Sequence, residues 1–465
     1  MAENNPDVKL AFDTILAKRA LYNELYKYYI GFHPLKYSTA KLREVFQKLD
    51  VFFAENWLSV VIDSVIDRII LKGFDISENA NAQTAIEDLI KNHNILLAAE
   101  DVHESATITG EGFIIAMKVK DDEDNEELDI YFNDPRMCHM FYEQDQPNKK
   151  RFAAKLWQDG NRYTRLDLYY FDRFEHYISN KQTKMGELIT NAKSFLPLAD
   201  NPEEDNPFDA IPVFHWMSSR TTKKRDMGPS EVSMQDAINK LMNDMMVASD
   251  FSTYRQRVII SKADPGNMAN DPGTNWWIPQ PTDGNPTQVL ELGGGGLEHY
   301  LTAIDKLATA LAIISRTPKH YFFMQGGDPS GEALIALEAP LTKKVKKRIG
   351  RYTPEWQAFA QFLLELEGIE VERNQITPQF EPVETIQPKT QAEITKLDRE
   401  GGVPLTTSKR RQGWSTTEMS QLKDDLTKEK QEQSGLAQDA LDKLRTEDAR
   451  NNTGTNTQVP PGNRS

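Results

Sequence analysis

GPSEVSMQDAINKLMNDMMVASDFSTYRQR, residues 228–257, is where the chain changes character. Met234, Ile238, Leu241, Met245 and Ala248 recur at intervals of four, three, four and three, the apolar seam of a helix packed along one neighbour. Ser233 with Asp236 offers a capping box for its start. RVIIS (257–261) then reads as a strand. It leads into a Gly/Pro/Asn-rich excursion that contains Trp276 and Trp277 and returns through a second short strand at 288–292. After four glycines (293–296) the same seam reappears at Leu297, Leu301, Ile304, Ala308 and Leu311. Two seamed helices bracketing an excursion can pack as an antiparallel pair with the excursion as its tip. Tryptophans are costly to expose, so Trp276 and Trp277 should be covered, either by a local core or by a partner.

Upstream, helical spacing runs over 8–30, 38–50 and 55–71, with Gly73 as the stop of the third helix, and again near 82–104. Strand patterns follow at 113–119, 128–132, 151–157, 163–171, 174–180 and 211–216, so this half is α+β. Downstream, TPKHYFFMQGGDPSGEALIALEAP (317–340) sets Tyr321, Phe322, Phe323 and Met324 directly before Gly326, Gly327, Asp328 and Pro329. A long helix is predicted over 330–367, with Asp328 as N-cap, Pro329 at its first position, and kinks at Pro340 and Pro354. Residues 389–446 read as charged helices broken at 401–404 and Gly413, and from about 450 the composition is that of a disordered tail.

A net charge of −15 over 465 residues makes the surface as a whole repel DNA and anionic membranes, so any work on nucleic acid falls to local patches. LTKKVKKRIGR (341–351) is such a patch: Lys343, Lys344, Lys346, Lys347, Arg348 and Arg351 with no acid among them. It reads as a solvated helix face, or as a contact to phosphates or to an acidic neighbouring subunit. The start of the chain is unlike a signal peptide and no apolar run reaches membrane-spanning length, so a cytosolic life without membrane contact is expected.

Catalytic chemistry finds no foothold. The glycines at 293–296 and 326–331 lack the lysine of a phosphate loop. Ser38 and Lys41 spell S-x-x-K without its companion motifs and read as a helix start. DDEDNEE (121–127) lacks the glycine and glutamate spacing of a calcium loop and reads as a solvated turn. The single cysteine, Cys138, excludes a disulfide framework, and His139 beside it reads as a strand neighbour rather than a fellow ligand. No catalytic, cofactor or metal residue is expected. Carboxylates that meet only on folding stay open.

The ordered motifs resemble the portal proteins of tailed double-stranded-DNA bacteriophages, in the siphovirus-type branch. The likeness rests on YYIGFHPLKYS (28–38) and on an Asn-led helix with Asn56, Val61, Asp63, Arg68, Gly73 and Phe74. It continues through TGEGFIIAM (109–117), Pro212 and Val213, and Gly228, Ser230 and Glu231, then Ser330, Gly331, Ala333 and Leu334, and finally GGVPLTTSKRRQGWSTTEM (401–419). The resemblance implies a non-enzymatic homo-oligomeric ring, usually of twelve subunits, at one capsid vertex of the virion, assembled in the host cytoplasm. DNA would be packaged through it by a terminase motor and its large subunit, and later ejected. A head–tail adaptor and the major capsid and scaffolding proteins would be its other partners, with no cofactor.

Carried onto this chain, the resemblance places an N-terminal wing at 1–228, stem helices at 229–256 and 297–316, a clip at 257–296 and a tunnel loop at 317–329. The long wing helix with a following strand falls at 330–384, a helical crown at 385–450 and a tail at 451–465. Lys319, His320, Tyr321, Gln325, Gly326, Gly327 and Asp328 would lie at the channel, the loop aromatics packing against neighbouring loops. Trp276 and Trp277 would be clip contacts. The alternative is a ring-forming head–tail adaptor or scaffold that never touches DNA.

Overall fold

The computed structural model describes residues 5–34, 36–37, 54–76, 79–120, 126–219, 224–253, 257–260, 288–291, 296–322, 331–384, 388–414, 418–432, 434 and 443. The helix expected at 38–50, the cores of the acidic turn and the tip, Trp276, Trp277 and residues 323–330 lie outside them.

Helix α1 (Pro6–Tyr29) opens with Pro6 at its first position and the Asn5 side chain accepting from the Asp7 amide at 2.9 Å. Helix α2 (Trp57–Ile66) is capped by Asn56, which accepts from the Ser59 amide and donates to Tyr29 O at 2.7 Å, tying it to the end of α1. This helix is shorter than the expected 55–71. After Ile66 the chain turns into strand β1 (Leu71–Asp75), and Gly73, expected as a helix stop, sits inside that strand at φ +150°, where the register shifts. The partner of β1 lies near the far end of the chain, so no local pattern could reveal it. The single helix expected near 82–104 is two, α3 (Ala80–Asn92) and α4 (Ile95–Ile108), broken at Asn94, which adopts φ +48°. Asn is one of the few side chains that tolerates the left-handed region.

Two antiparallel sheets follow. Strands β2 (Glu111–Lys120) and β3 (Glu126–Asn133) form a hairpin, to which β10 (Val213–Met217) adds beside β2, with Val213 opposite Ile115. Between them in sequence, β4 (Cys138–Tyr142), β5 (Lys150–Gln158), β6 (Tyr163–Tyr169), β7 (Arg173–Gln182) and β8 (Phe195–Pro197) pair in consecutive order, with β9 (Glu203–Asp205) also on β7. Cys138 and His139 lie in β4, as their reading as strand neighbours expected, whereas the short β8 and β9 were not anticipated. Gly112, second in β2, lies so close to α4 that a Cβ would sit 2.7 Å from Val102 O, so a larger residue would force the α4 backbone away. Helix α1 lays Phe12 and Ile15 into the second sheet against Phe152, Leu166 and Phe195.

Helix α5 (Pro229–Thr253) begins four residues earlier than Ser233, with Gly228 O accepting the Val232 amide. The expected capping box therefore lies inside the helix, where Asp236 accepts from Tyr28 OH at 2.8 Å. A Gly–Pro start had already pre-set the first turn. Strands β11 (Arg257–Ile260) and β12 (Gln288–Glu291) pair antiparallel between α5 and α6 (Glu298–Ser315), and the two helices pack together. Their seam is largely the predicted one. Ile238, Ile304, Ala308 and Leu311 are buried with Met234, Leu241 and, from α2, Trp57 and Val61. Leu301 departs from it and is 47% exposed.

Helix α7 (Gly331–Leu366) runs unbroken through Pro340 and Pro354 for about 54 Å. Its second half is the spine of the largest core: Tyr352, Trp356, Phe359 and Leu363 pack against Phe214 and Trp216 of β10, with the Trp216 and Trp356 rings 4.5 Å apart. Strand β13 (Thr377–Phe380) then closes on β1, followed by α8 (Pro388–Glu400) and α9 (Leu405–Arg411). Among the described residues no helix is long and apolar enough to cross a membrane.

Candidate functional site

The segment after α6 is held at its base from three sides. Lys319, at the start of a 3-10 turn (Lys319–Tyr321), pairs with Asp305 of α6 at 2.8 Å. Tyr321 OH accepts from Arg68 Nη2 at 2.7 Å and donates to Glu338 Oε1 of α7 at 3.0 Å, while its neighbour His320 meets the Tyr321 ring edge-on. Phe322 lies 5.8 Å from the Trp57 ring and joins the core of the helix pair. Two of the four consecutive aromatic and apolar residues thus pack inside their own subunit. The sequence pointed to Lys319, His320 and Tyr321, but it did not reveal that Arg68, Trp57 and Glu338 anchor them. Gln325, Gly326, Gly327 and Asp328 lie outside the described residues.

The basic run on α7 divides by helical facing. Lys344 reaches Asp226 at 3.0 Å and Ser315 O at 2.9 Å, and Arg348 reaches the other Asp226 oxygen at 2.9 Å. Arg348 also donates to Ser218 Oγ, and Arg351 donates to Ser218 O. Burial alone would push the Asp226 carboxyl up, but Arg348 and Lys344 outweigh it and hold the group below the usual carboxylate range. Burial lowers the Lys344 ammonium despite Asp226, so Arg348 is the firmer partner of the pair. Lys346 pairs at the surface with Glu384 at 2.5 Å, and Lys343 and Lys347 are exposed. Lys344 and Arg348 are therefore turned inward, clamping α7 to Asp226 and Ser218 and to the end of α6, while Arg351 reaches Ser218 O from an exposed position.

A second polar cluster was invisible in the sequence. Glu111 of β2 accepts from Lys18 and from Tyr22 OH, each at 2.7 Å, and faces His215 Nε2 at 3.3 Å and His139 Nδ1 at 3.7 Å. Tyr142 OH lies 3.0 Å from His215 Nδ1. Burial pushes the Glu111 carboxyl up, but His139, His215 and Lys18 together hold it well below its usual range. Burial lowers both histidines. Glu111 is the hub, with Lys18 also reaching His139 Nδ1 at 3.0 Å, while buried His215 Nε2 forms no hydrogen bond. The cluster thus ties α1 to both sheets and leaves no carboxylate free for acid–base work. Cys138 is fully buried and its thiol is pushed up by burial, which makes it unreactive. Among the described residues no group of three or more His, Cys, Asp or Glu is arranged to hold a metal ion.

The sequence matches the phage portal protein family, SPP1 Gp6-like, over residues 12–435, and the chain belongs to that family. The family is structural rather than enzymatic, and membership implies a capsid-associated oligomeric ring at a capsid vertex of the virion. No curated protein matches the sequence. The motif residues that carry the resemblance do structural work: Asn56 caps α2, Asp63 accepts from Tyr29 OH at 2.9 Å, Arg68 holds Tyr321, and Phe74 packs on Trp356.

Proposed function

We propose that the chain forms the ring channel through which a terminase motor packages double-stranded DNA, through which that DNA is later ejected, and on which a head–tail adaptor docks. The family match over residues 12–435 carries this reading. The α5–α6 pair (229–256 and 297–316) serves as stem and the intervening 257–296 as clip. Residues 1–228 with 330–384 serve as wing, and 385–450 as crown. The packed helix pair and the hairpin between its members support that division. A net charge of −15 suits a conduit, because tight phosphate binding would release counterions and brake a moving duplex. Negative-stain images of the purified protein are expected to show closed rings with a central hole. A monomer at every salt and protein concentration overturns the reading.

Residues 317–329 serve as the loop that meets DNA, anchored by Tyr321 and Phe322. Shortening 319–327, or replacing Lys319 and His320 by alanine, is expected to impair DNA packaging or retention while rings still form. Loss of the rings themselves would make the segment a subunit contact instead.

A further inference from the structure

We propose that a basic cleft at the foot of α6 is the socket for the acidic 200–205 turn of a neighbouring copy of this chain. The proposal rests on the ring reading above and names the contact that would set one subunit against the next.

The cleft, of about 360 Å³, lies where α6 ends, between Ser218, Ser219, Lys224 and Asp226 on one side and the basic face of α7 on the other. Lys224, Arg316, Lys344, Lys347, Arg348 and Arg351 line it, against only two carboxylates, Asp226 and Glu231. Asp226 is already engaged by Lys344 and Arg348. Lys224, Arg316 and Lys347 are exposed and form no ion pair with any described residue. Gathering unpaired cations in one concavity is unfavourable unless an anion completes it. Arg316 adds a second observation. It adopts φ +60°, ψ +28° just past the end of α6, a left-handed position where glycine is the usual residue and a side chain is strained. The strain is tolerated where the side chain lines the cleft.

The chain carries a matching anion. Asp200, Glu203, Glu204 and Asp205 are all exposed, in a turn made rigid by β9 pairing on β7 and by Asn206 donating to Tyr170 O and Ala210 O. Within the subunit Glu203 pairs with Arg173 and Glu204 with His176, each at 3.5 Å, and Glu204 accepts from Asn201 Nδ2 at 2.8 Å, while Asp200 is in no described ion pair and none joins the turn to the cleft. A pre-ordered acidic projection loses little entropy on docking. A projection and a socket of opposite charge on one chain make a heterologous contact, the kind that closes into a ring. A carboxylate turn of the same chain is favoured over a nucleic-acid phosphate because projection and socket then occur in equal number.

Two measurements test this. Charge reversal of the exposed cleft residues (Lys224→Glu, Arg316→Glu, Lys347→Glu), or of the turn (Asp200→Lys, Glu203→Lys, Glu204→Lys), is expected to raise the concentration needed for rings about tenfold or more. Combining both sets in one chain is expected to restore assembly. Circular dichroism of each variant confirms folding. Rings that form equally well in either set, or a combined variant that does not recover, overturn the proposal while leaving the ring reading intact. Normal rings that have lost affinity for duplex DNA assign the cleft to phosphate instead. For the second measurement, Lys347→Cys with Glu204→Cys, treated with a short bis-maleimide, is expected to give a ladder of covalent oligomers absent from either single variant. Cys138 is buried and leaves the background clean. Intact rings without a ladder overturn the contact, and a wild-type chain that never assembles overturns both readings.

Discussion

Asp226→Ala is expected to cost about 3–5 kcal/mol of unfolding free energy, because it strands Arg348 and Lys344 in a buried site without a counter-charge. The side chains of Asp226 and Arg348 are 6% and 8% exposed, so solvent screens the pair little. Replacing both by apolar residues of similar volume is expected to cost much less than the sum of the single changes, since the uncompensated charge goes with its partner. Urea unfolding of the two single variants and the double variant measures this. A loss below about 1 kcal/mol for Asp226→Ala would show that the clamp is not closed. The consequence reaches beyond stability. Asp226 joins α7 to the segment that starts α5, and Lys344 joins it to the last carbonyls of α6, so this clamp sets how the helix pair sits on the wing.

Acidification from pH 7 to 5 is expected to destabilise the subunit, with His103 contributing about 2 kcal/mol by itself. His103 is enclosed: its Nδ1–H donates to Ile69 O at 3.0 Å, its Nε2 accepts from Trp356 Nε1 at 3.0 Å, and its ring stacks on Tyr352 at 5.1 Å. Burial, with a smaller push from Arg348 against the help of the Ile69 carbonyl, drives its pKa down to about 3. The unfolded chain binds the proton near pH 6.5 and the folded chain does not. The stabilisation is therefore complete above pH 6.5 and is lost as pH falls toward 3. His139 and His215, also lowered by burial, act with the same sign, whereas His176, raised by its bond to Asp167, opposes them. In urea titrations His103→Gln is expected to be less stable at pH 7.5 yet to lose about 2 kcal/mol less than wild type between pH 7 and 5. An unchanged pH slope would refute the assignment.

The sequence was legible wherever a pattern is local. The seams at Met234–Ile238–Leu241 and Ile304–Ala308–Leu311, most strands and the long helix over 331–366 follow from apolar spacing that one face of an element must bury. Misreadings came where a distant partner decided the outcome. The residues at 67–71 continue a helical pattern, but the helix ends at Ile66 and β13 captures the chain from Leu71 as a strand, and Asn94 breaks a helix through a backbone state that periodicity does not encode. The basic run illustrates the same boundary: six cations look equivalent in sequence, yet helical facing turns Lys344 and Arg348 inward and leaves Lys343 and Lys347 to solvent.

By itself the sequence determined the α+β class, the paired helices around an excursion, the likeness to portal proteins and the lack of a recognised catalytic motif. These rest on residue type and spacing along the chain. Only the tertiary structure decided that Tyr321 is held between Arg68 and Glu338, that Asp226 closes on Arg348, and that Glu111 gathers Lys18, Tyr22, His139 and His215. Each joins residues far apart in sequence. Their burial and partners are set by how helices and sheets stack, and that information is not carried by any single segment.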